Sequence, residues 1–241
     1  MPTPTRSLDP RGNPPARCSP AFRRAREHAV AFDHEWPYSP RVHEHGEECG
    51  LPHIDELAEQ LKELAGICRE YVRRAVGTDL DDTPDTLPVL DHYIRISRDR
   101  VQERPELMAL VARAVGAYFG EVVRLHVDGF WYLGSPDAED WYVCARSVFL
   151  AVNPVGAAYE ALTGTSEHTG PSAQLRIRRD ARARVEQRLN SLPPVSEPDY
   201  YLLSTRIEAL EVATEALAAD SFARGEERVE LGRDDYAPEL G

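Results

Sequence analysis

The stretch from Glu106 to Leu125, ELMALVARAVGAYFGEVVRL, constrains the rest of the chain more than any other. Leu107, Leu110, Val111, Ala114, Val115, Tyr118, Val122 and Leu125 recur at three- and four-residue spacing, as one helix face requires. The other side carries Ala112, Gly116, Phe119, Gly120 and Val123, so it is apolar too. From Ala114 to Val123 Glu121 is the sole charge. A helix apolar nearly all round has to be enclosed by other elements. The stretch therefore predicts the central helix of a domain core. Arg113, Glu121 and Arg124 leave no apolar run near the roughly 20 residues a membrane span needs, which excludes a membrane helix.

Gly116 and Gly120 lie one turn apart in that helix. Each costs about 1 kcal/mol of helix stability relative to alanine. Close approach of another backbone is the expected compensation, as in small-residue helix packing.

Downstream, Asp128-Gly129 signals a turn. Phe130 to Leu133 and Trp141 to Val152 are rich in aromatic and β-branched residues and read as strands. The second run is either one bent strand or two short ones broken near Arg146-Ser147. Asn153 at a cap and Pro154 at a first position then open a helix over Val155 to Leu162, with Gly164 as its stop. Arg146 is the only charge between Trp141 and Tyr159. An unpaired buried charge is very costly, so the lone Glu121 is expected beside the lone Arg146.

On the upstream side, Asp55 to Val76 forms an amphipathic helix with Leu57, Leu61, Leu64, Ile67 or Cys68, Tyr71 and Val72 inward. Gly77 stops it. The acid run Asp79, Asp81, Asp82 and Asp85 lacks the glycine and closing glutamate of an EF-hand loop. Thr83-Pro84 or Asp85 instead opens a helix with Leu87, Leu90, Tyr93 and Ile94 facing in. Pro105 begins the central helix.

Residues 1–20 contain six prolines and read as a disordered tail, residues 21–220 as a single domain, and the acidic residues 221–241 as a flexible tail. The arginines of the first 27 residues make a basic arm, read as solvated. Ala21 to Phe32 is a candidate short helix. TGTSEHTGPSAQ reads as a loop whose serine, threonine and histidine form no nucleophile–base arrangement. LRIRRDARARVEQRLNSL, with six arginines on several faces, is a helix or strand–helix element expected to pair with the protein's own acids. Tyr201 to Ala219 reads as a helix with Leu203, Ile207, Leu210, Val212 or Ala213 and Leu217 inward. The expected fold class is α+β, with a small antiparallel sheet over residues 130–152 packed on the central helix.

With 41 acidic against 28 basic residues the net charge is −13, which repels nucleic acid and anionic membranes. The N-terminus has no apolar core of a secretory signal. Cys18, Cys49, Cys68 and Cys144 form no C-x-x-C pair, and reduced thiols in a cytoplasm are the expected state. No dinucleotide-binding glycine fingerprint, phosphate-binding loop, H-E-x-x-H or G-x-S-x-G is present. The one ligand-like cluster is His43, Glu44, His45, Glu47, Glu48, Cys49 and His53. Imidazole, thiolate and carboxylate together suit zinc or a related divalent ion, although the spacing matches no standard site.

LDHYI, GAYFGEVV, GFWYL and AVNPVGAAYEAL resemble a loose group of uncharacterised bacterial domains. Gly116, Ala117, Tyr118, Gly120, Glu121, Gly129, Trp131, Asn153 and Pro154 carry the likeness, over residues 79–163. Some such domains are thought to be immunity or accessory proteins, so the resemblance implies binding and not catalysis. The expectation is a non-catalytic cytoplasmic protein of the immunity, adaptor or scaffold type, with a protein partner and no cofactor. The alternative is a metal-dependent enzyme in which His43, His45, Glu47 and His53, with Cys49, hold zinc or another divalent ion.

Overall fold

A computed structural model describes residues 54–226 and 230–240. Among them are eight helices and four strands: α1 (Ile54–Val76), α2 (Leu87–Gln102), α3 (Pro105–His126), β1 (Gly129–Leu133), β2 (Trp141–Ala145), β3 (Leu150–Val152), α4 (Pro154–Thr163), β4 (Arg176–Ile177), α5 (Arg182–Asn190), α6 (Glu197–Tyr200), α7 (Leu203–Ala223) and α8 (Arg233–Leu240). The strands make one antiparallel sheet in the order β1-β2-β3-β4. The fold is α+β. None of the described helices is long and apolar enough to cross a membrane.

α3 is the centre. Every residue from Ala114 to Gly120 is buried, along with Val111, Ala112, Val122 and Val123. Leu110 and Leu125, read as inward from the periodicity, are exposed at 42% and 55% because the ends of α3 project past the elements that cover its middle. The close backbone approach expected at the glycines is met at Gly116, whereas Gly120 faces a side chain. A Cβ on Gly116 would lie 2.6 Å from the Val155 Cα of α4, and one on Gly120 would collide with the Trp131 ring. Gly116 lets α3 meet α4 backbone to backbone, Gly120 makes room for the Trp131 ring, and α4 itself starts on the Asn153 cap with Gly156 N donating to Oδ1 at 2.9 Å. Asn153 Nδ2 donates to Ala138 O at 2.8 Å, which ties the cap to the turn before β2.

The sheet has two differently covered faces, as strand alternation requires. Leu133, Trp141, Val143, Ala145, Leu150 and Val152 join the main core around α3. Tyr132, Tyr142, Cys144 and Ala151 point the other way and pack with Tyr236 of α8, flanked by Phe130, Phe149 and Leu231. Over residues 221–226 and 230–240, the frayed acidic tail that composition suggests gives way to helix, which packs on the sheet at Tyr236. α7 continues to Ala223, and α8 holds the outer sheet face through Tyr236, which is fully buried. A single aromatic anchor orders a segment whose mean composition is polar.

The acid run after α1 serves as local acceptors. Asp81 Oδ1 receives Thr83 N at 3.0 Å, Thr83 Oγ1 at 2.6 Å and Thr86 Oγ1 at 2.9 Å. Asp82, at φ 65, takes the Arg69 guanidinium at 2.6 Å, while its own N–H donates to Tyr118 Oη at 3.1 Å. These bonds tie the α1–α2 connection to the side of α3.

α7 shows how one helix can cap another. Its N-cap residue, Leu202, has no side-chain acceptor, and an uncapped helix start leaves backbone N–H groups orphaned. Asp91 of α2 supplies the acceptor. Leu203 N donates to Oδ1 at 2.8 Å, and Ser204 N and Oγ donate to Oδ2 at 3.1 and 2.6 Å. Burial nonetheless raises the Asp91 carboxyl above its ordinary value, outweighing the hydrogen bonds that favour the anion. The folded state thus binds this proton more tightly than the unfolded chain. Its contribution to stability is greatest below the ordinary aspartate range and declines as pH rises through the folded-state value. Urea unfolding of wild type and Asp91→Asn from about pH 3.5 to about pH 7 reads this. The stability of wild type relative to the variant is expected to fall with rising pH, and a relative rise would contradict the assignment.

Candidate functional site

Glu121 and Arg146 lie on opposite sides of the sheet, and the expected pair does not form. Strand alternation sends Trp131 toward α3 and Phe130 away from it. Trp131 Nε1 donates to Glu121 Oε1 at 2.5 Å, and Arg124, one turn along the same helix, donates to Oε2 at 2.9 Å. Arg146 sits in the turn between β2 and β3, over the Phe130 ring at 5.1 Å, with Glu230 as its ion partner at 3.4 Å. An indole N–H and an i,i+3 arginine neutralise Glu121 locally. Counting lone charges could not show this, because it left Trp131 out.

The buried charges that do pair lie elsewhere. Glu160 of α4 and Arg206 of α7 form an ion pair with side chains 9% and 12% exposed. The Arg206 guanidinium also lies over the Tyr200 ring at 5.0 Å. Burial works against the Arg206 charge, but Glu160, Tyr200 and Tyr201 more than offset it and hold the group above arginine's ordinary value. Nearby, His168 stacks on Tyr159 at 5.4 Å, and its Nδ1 accepts Gly170 N at 3.1 Å. Burial lowers its pKa, which keeps the ring neutral at physiological pH. The sequence signal for the pair was available. Arg206 is the only cation between Arg188 and Arg224, and Glu160 is the first acid after Asp140.

In the arginine-rich segment, the expected pairing with the protein's own acids is met at Arg184, while Arg178 lies over an aromatic ring. Arg184 pairs with the nearly fully buried Asp220 of α7. Arg224 reaches Asp180 at 2.6 Å, Asp220 at 3.1 Å and Glu226 at 3.0 Å. This clamp fixes the end of α7, which closes in a Schellman motif. Glu226 N donates to Ser221 O at 3.1 Å and Gly225 N to Phe222 O at 3.0 Å, with Gly225 at φ 69.

That rigid end carries the surface feature with most chemical character. Phe222, on the last turn of α7, is 86% exposed, the most of any large apolar side chain among the described residues. It stands beside a groove of about 1040 Å³ lined by the β2–β3 turn, Arg178 and Ala181 ahead of α5, the end of α7, and Glu226, Glu230 and Leu231. Val148, Phe149 and Leu217 contribute apolar surface, and Arg146, Arg178 and Arg224 line its sides. Arg178 stacks over Phe149 at 5.7 Å and has no carboxylate within ion-pair distance among the described residues. Exposed aromatic and arginine side chains together are the residue types that concentrate binding energy at protein interfaces.

His43, His45, Glu47, Cys49 and His53 lie outside the described residues. Among the described residues, no three His, Cys, Asp or Glu side chains are grouped so as to hold a metal ion. Cys68 and Cys144 are buried, and burial pushes both thiols up to about 12. Such thiols are inert, since the thiolate is the reactive form. A thiol-reactive dye added to the native chain is expected to leave these two untouched until denaturant is added. Fast native modification of Cys68 or Cys144, located by peptide mapping, would contradict the packing. Compared with known families, characterised proteins and solved structures, the chain matches no family model, no curated protein and no solved structure.

Proposed function

We propose that this chain is a non-catalytic binding protein that engages a protein partner across the groove beside Phe222. The observation that carries the reading is Phe222 itself, 86% exposed on a helix end clamped by Arg224. A rigid, exposed aromatic costs little conformational entropy to bury on association. The complementary segment offers an apolar side chain to Phe222 and Phe149 and a carboxylate to Arg178. The net charge of −13 disfavours a polyanionic ligand. The immunity, adaptor or scaffold class, in a cytoplasmic setting, fits this reading and the resemblance of residues 79–163.

The interior polar groups support it from the other side. Glu121, Asp91, Glu160 and Asp220 are each engaged by a partner that secures a helix start, a helix–strand contact or a helix–helix contact. A photo-crosslinking residue placed at 222 in the full chain, expressed in its native cells, tests the proposal. The expected result is one dominant protein adduct, whose purified form binds wild type. Adducts only to the chain itself, or none, would overturn it.

A further inference from the structure

Beyond Thr163 the chain turns back along α4 instead of leaving it. Thr163 Oγ1 donates to Thr165 O at 3.0 Å. A Cβ on Gly170 would lie 2.5 Å from the Tyr159 ring, and one on Gly156, in the first turn of α4, would lie 2.6 Å from Pro171 O. Residues 165–172 are thus a strap along α4. Ala173 and Leu175, next in the chain, line a largely apolar cleft beside α7.

His168 fastens the middle of the strap. Its ring stacks on Tyr159 at 5.4 Å, and its Nδ1 accepts Gly170 N at 3.1 Å. A backbone amide can only donate, so Nδ1 has to be bare, with the ring proton on Nε2. A protonated imidazole carries N–H on both nitrogens. Two donors would then face each other, and the bond that fastens the strap would be lost.

The groups around the ring set the direction of the response. Burial holds the His168 pKa below its ordinary value; Glu160 of α4 opposes this, and Arg206 of α7, paired with that same Glu160, adds to it. Burial raises the Tyr159 phenol, against the pull of Arg113 in α3, and also raises Tyr201, which hydrogen-bonds Ser166 of the strap. Both phenols therefore stay neutral in acid. Glu167, within the strap, is exposed. With the strap open, the imidazole returns toward its ordinary value, so the open form binds the proton more tightly. Acid favours opening from the ordinary histidine range downward, and neutral pH favours closure.

We propose that His168 is an acid-released latch: neutral, it fastens residues 165–172 along α4, and protonated, it frees them, uncovering Tyr159 and loosening the cleft wall at 173–175. The proposal does not depend on the reading of the groove at Phe222.

Nitrogen-15 NMR of the full chain tests it. At about pH 7.5 the His168 ring is expected as the Nε2–H tautomer. Between about pH 7.5 and about pH 5, the Gly170 amide is expected to lose exchange protection at least about fivefold, after correction for the intrinsic pH dependence of exchange. His168→Phe keeps a ring beside Tyr159 but offers no acceptor. Its Gly170 protection is expected to be low throughout and to change by less than about twofold. An Nδ1–H tautomer at about pH 7.5, or Gly170 protection in wild type that stays constant down to about pH 5, would overturn the proposal. So would a folded His168→Phe variant that loses protection with acid as wild type does, since another group would then drive the release. If the variant does not fold, the wild-type tautomer and protection decide alone.

Discussion

Replacing Glu160 with alanine is expected to cost about 3–5 kcal/mol of stability, the range for removing one partner of a buried ion pair. The cost comes from what is left behind. Arg206 would keep its charge, because guanidinium does not deprotonate in proteins, yet it would remain enclosed at 12% exposure beside Tyr200 and Tyr201, with its carboxylate partner gone. The pair joins α4 to α7, and α4 is the helix whose backbone meets Gly116 of α3. Loss should therefore loosen the link between the central core and the last long helix. The converse change separates mechanism from mere mutation damage. Glu160→Leu with Arg206→Met removes both charges and keeps most of the volume, so it is expected to lie within about 2 kcal/mol of wild type or above it. Equilibrium urea unfolding of the three proteins reads the comparison. A single-site cost under about 1 kcal/mol would place the pair in the class of solvent-screened surface bridges and contradict its burial.

Tyr236→Ala carries the second large effect, about 3–5 kcal/mol by analogy with other buried aromatic truncations. Tyr236 stacks on Phe149 at 4.5 Å and meets Phe130 edge-on at 5.8 Å. Its hydroxyl donates to Ala145 O at 2.7 Å, with Val148 O as an alternative at 2.9 Å, and accepts Leu150 N at 3.1 Å. One hydroxyl thus serves backbone groups at the β2–β3 turn, where the ladder is interrupted. Tyr236→Phe keeps the rings and strands those groups, for an expected cost of about 1–3 kcal/mol. Hydrogen exchange locates the damage. Amides of residues 141–152 should lose protection in Tyr236→Ala while those of α1 keep theirs. Unchanged protection across β2 and β3 would show that α8 is dispensable to the sheet.

The parts of this fold that could be read from sequence are those in which one local pattern suffices. The periodicity of α1, α2 and α3, the paired glycines, the Asn153-Pro154 helix start and the break near Arg146-Ser147 each state their role within a few residues. The parts that escaped depend on partners far along the chain. β4 is two residues, Arg176–Ile177, inside an arginine run that hides any alternation. α8 is acidic and contains Pro238, so only the distant sheet face that receives Tyr236 explains it. Glu121 and Arg146 do not pair because a shared apolar character does not place two elements on the same face of the sheet. Both elements are apolar, but alternation places Trp131 on one face and Arg146 beyond the other. The same reasoning applied to Glu160 and Arg206 would have succeeded, since both are isolated charges on helices that touch.

The central claim is that this chain acts by binding at the Phe222 groove while its interior charges serve the fold. Calorimetric titration of the purified crosslinked partner against wild type and Phe222→Ala tests it most directly. Phe222 is 86% exposed, so the variant should melt within about 2 °C of wild type. Its affinity for the partner should fall at least about tenfold, equivalent to about 1.4 kcal/mol. A normally folded Phe222→Ala protein that binds the partner as tightly as wild type would contradict the claim.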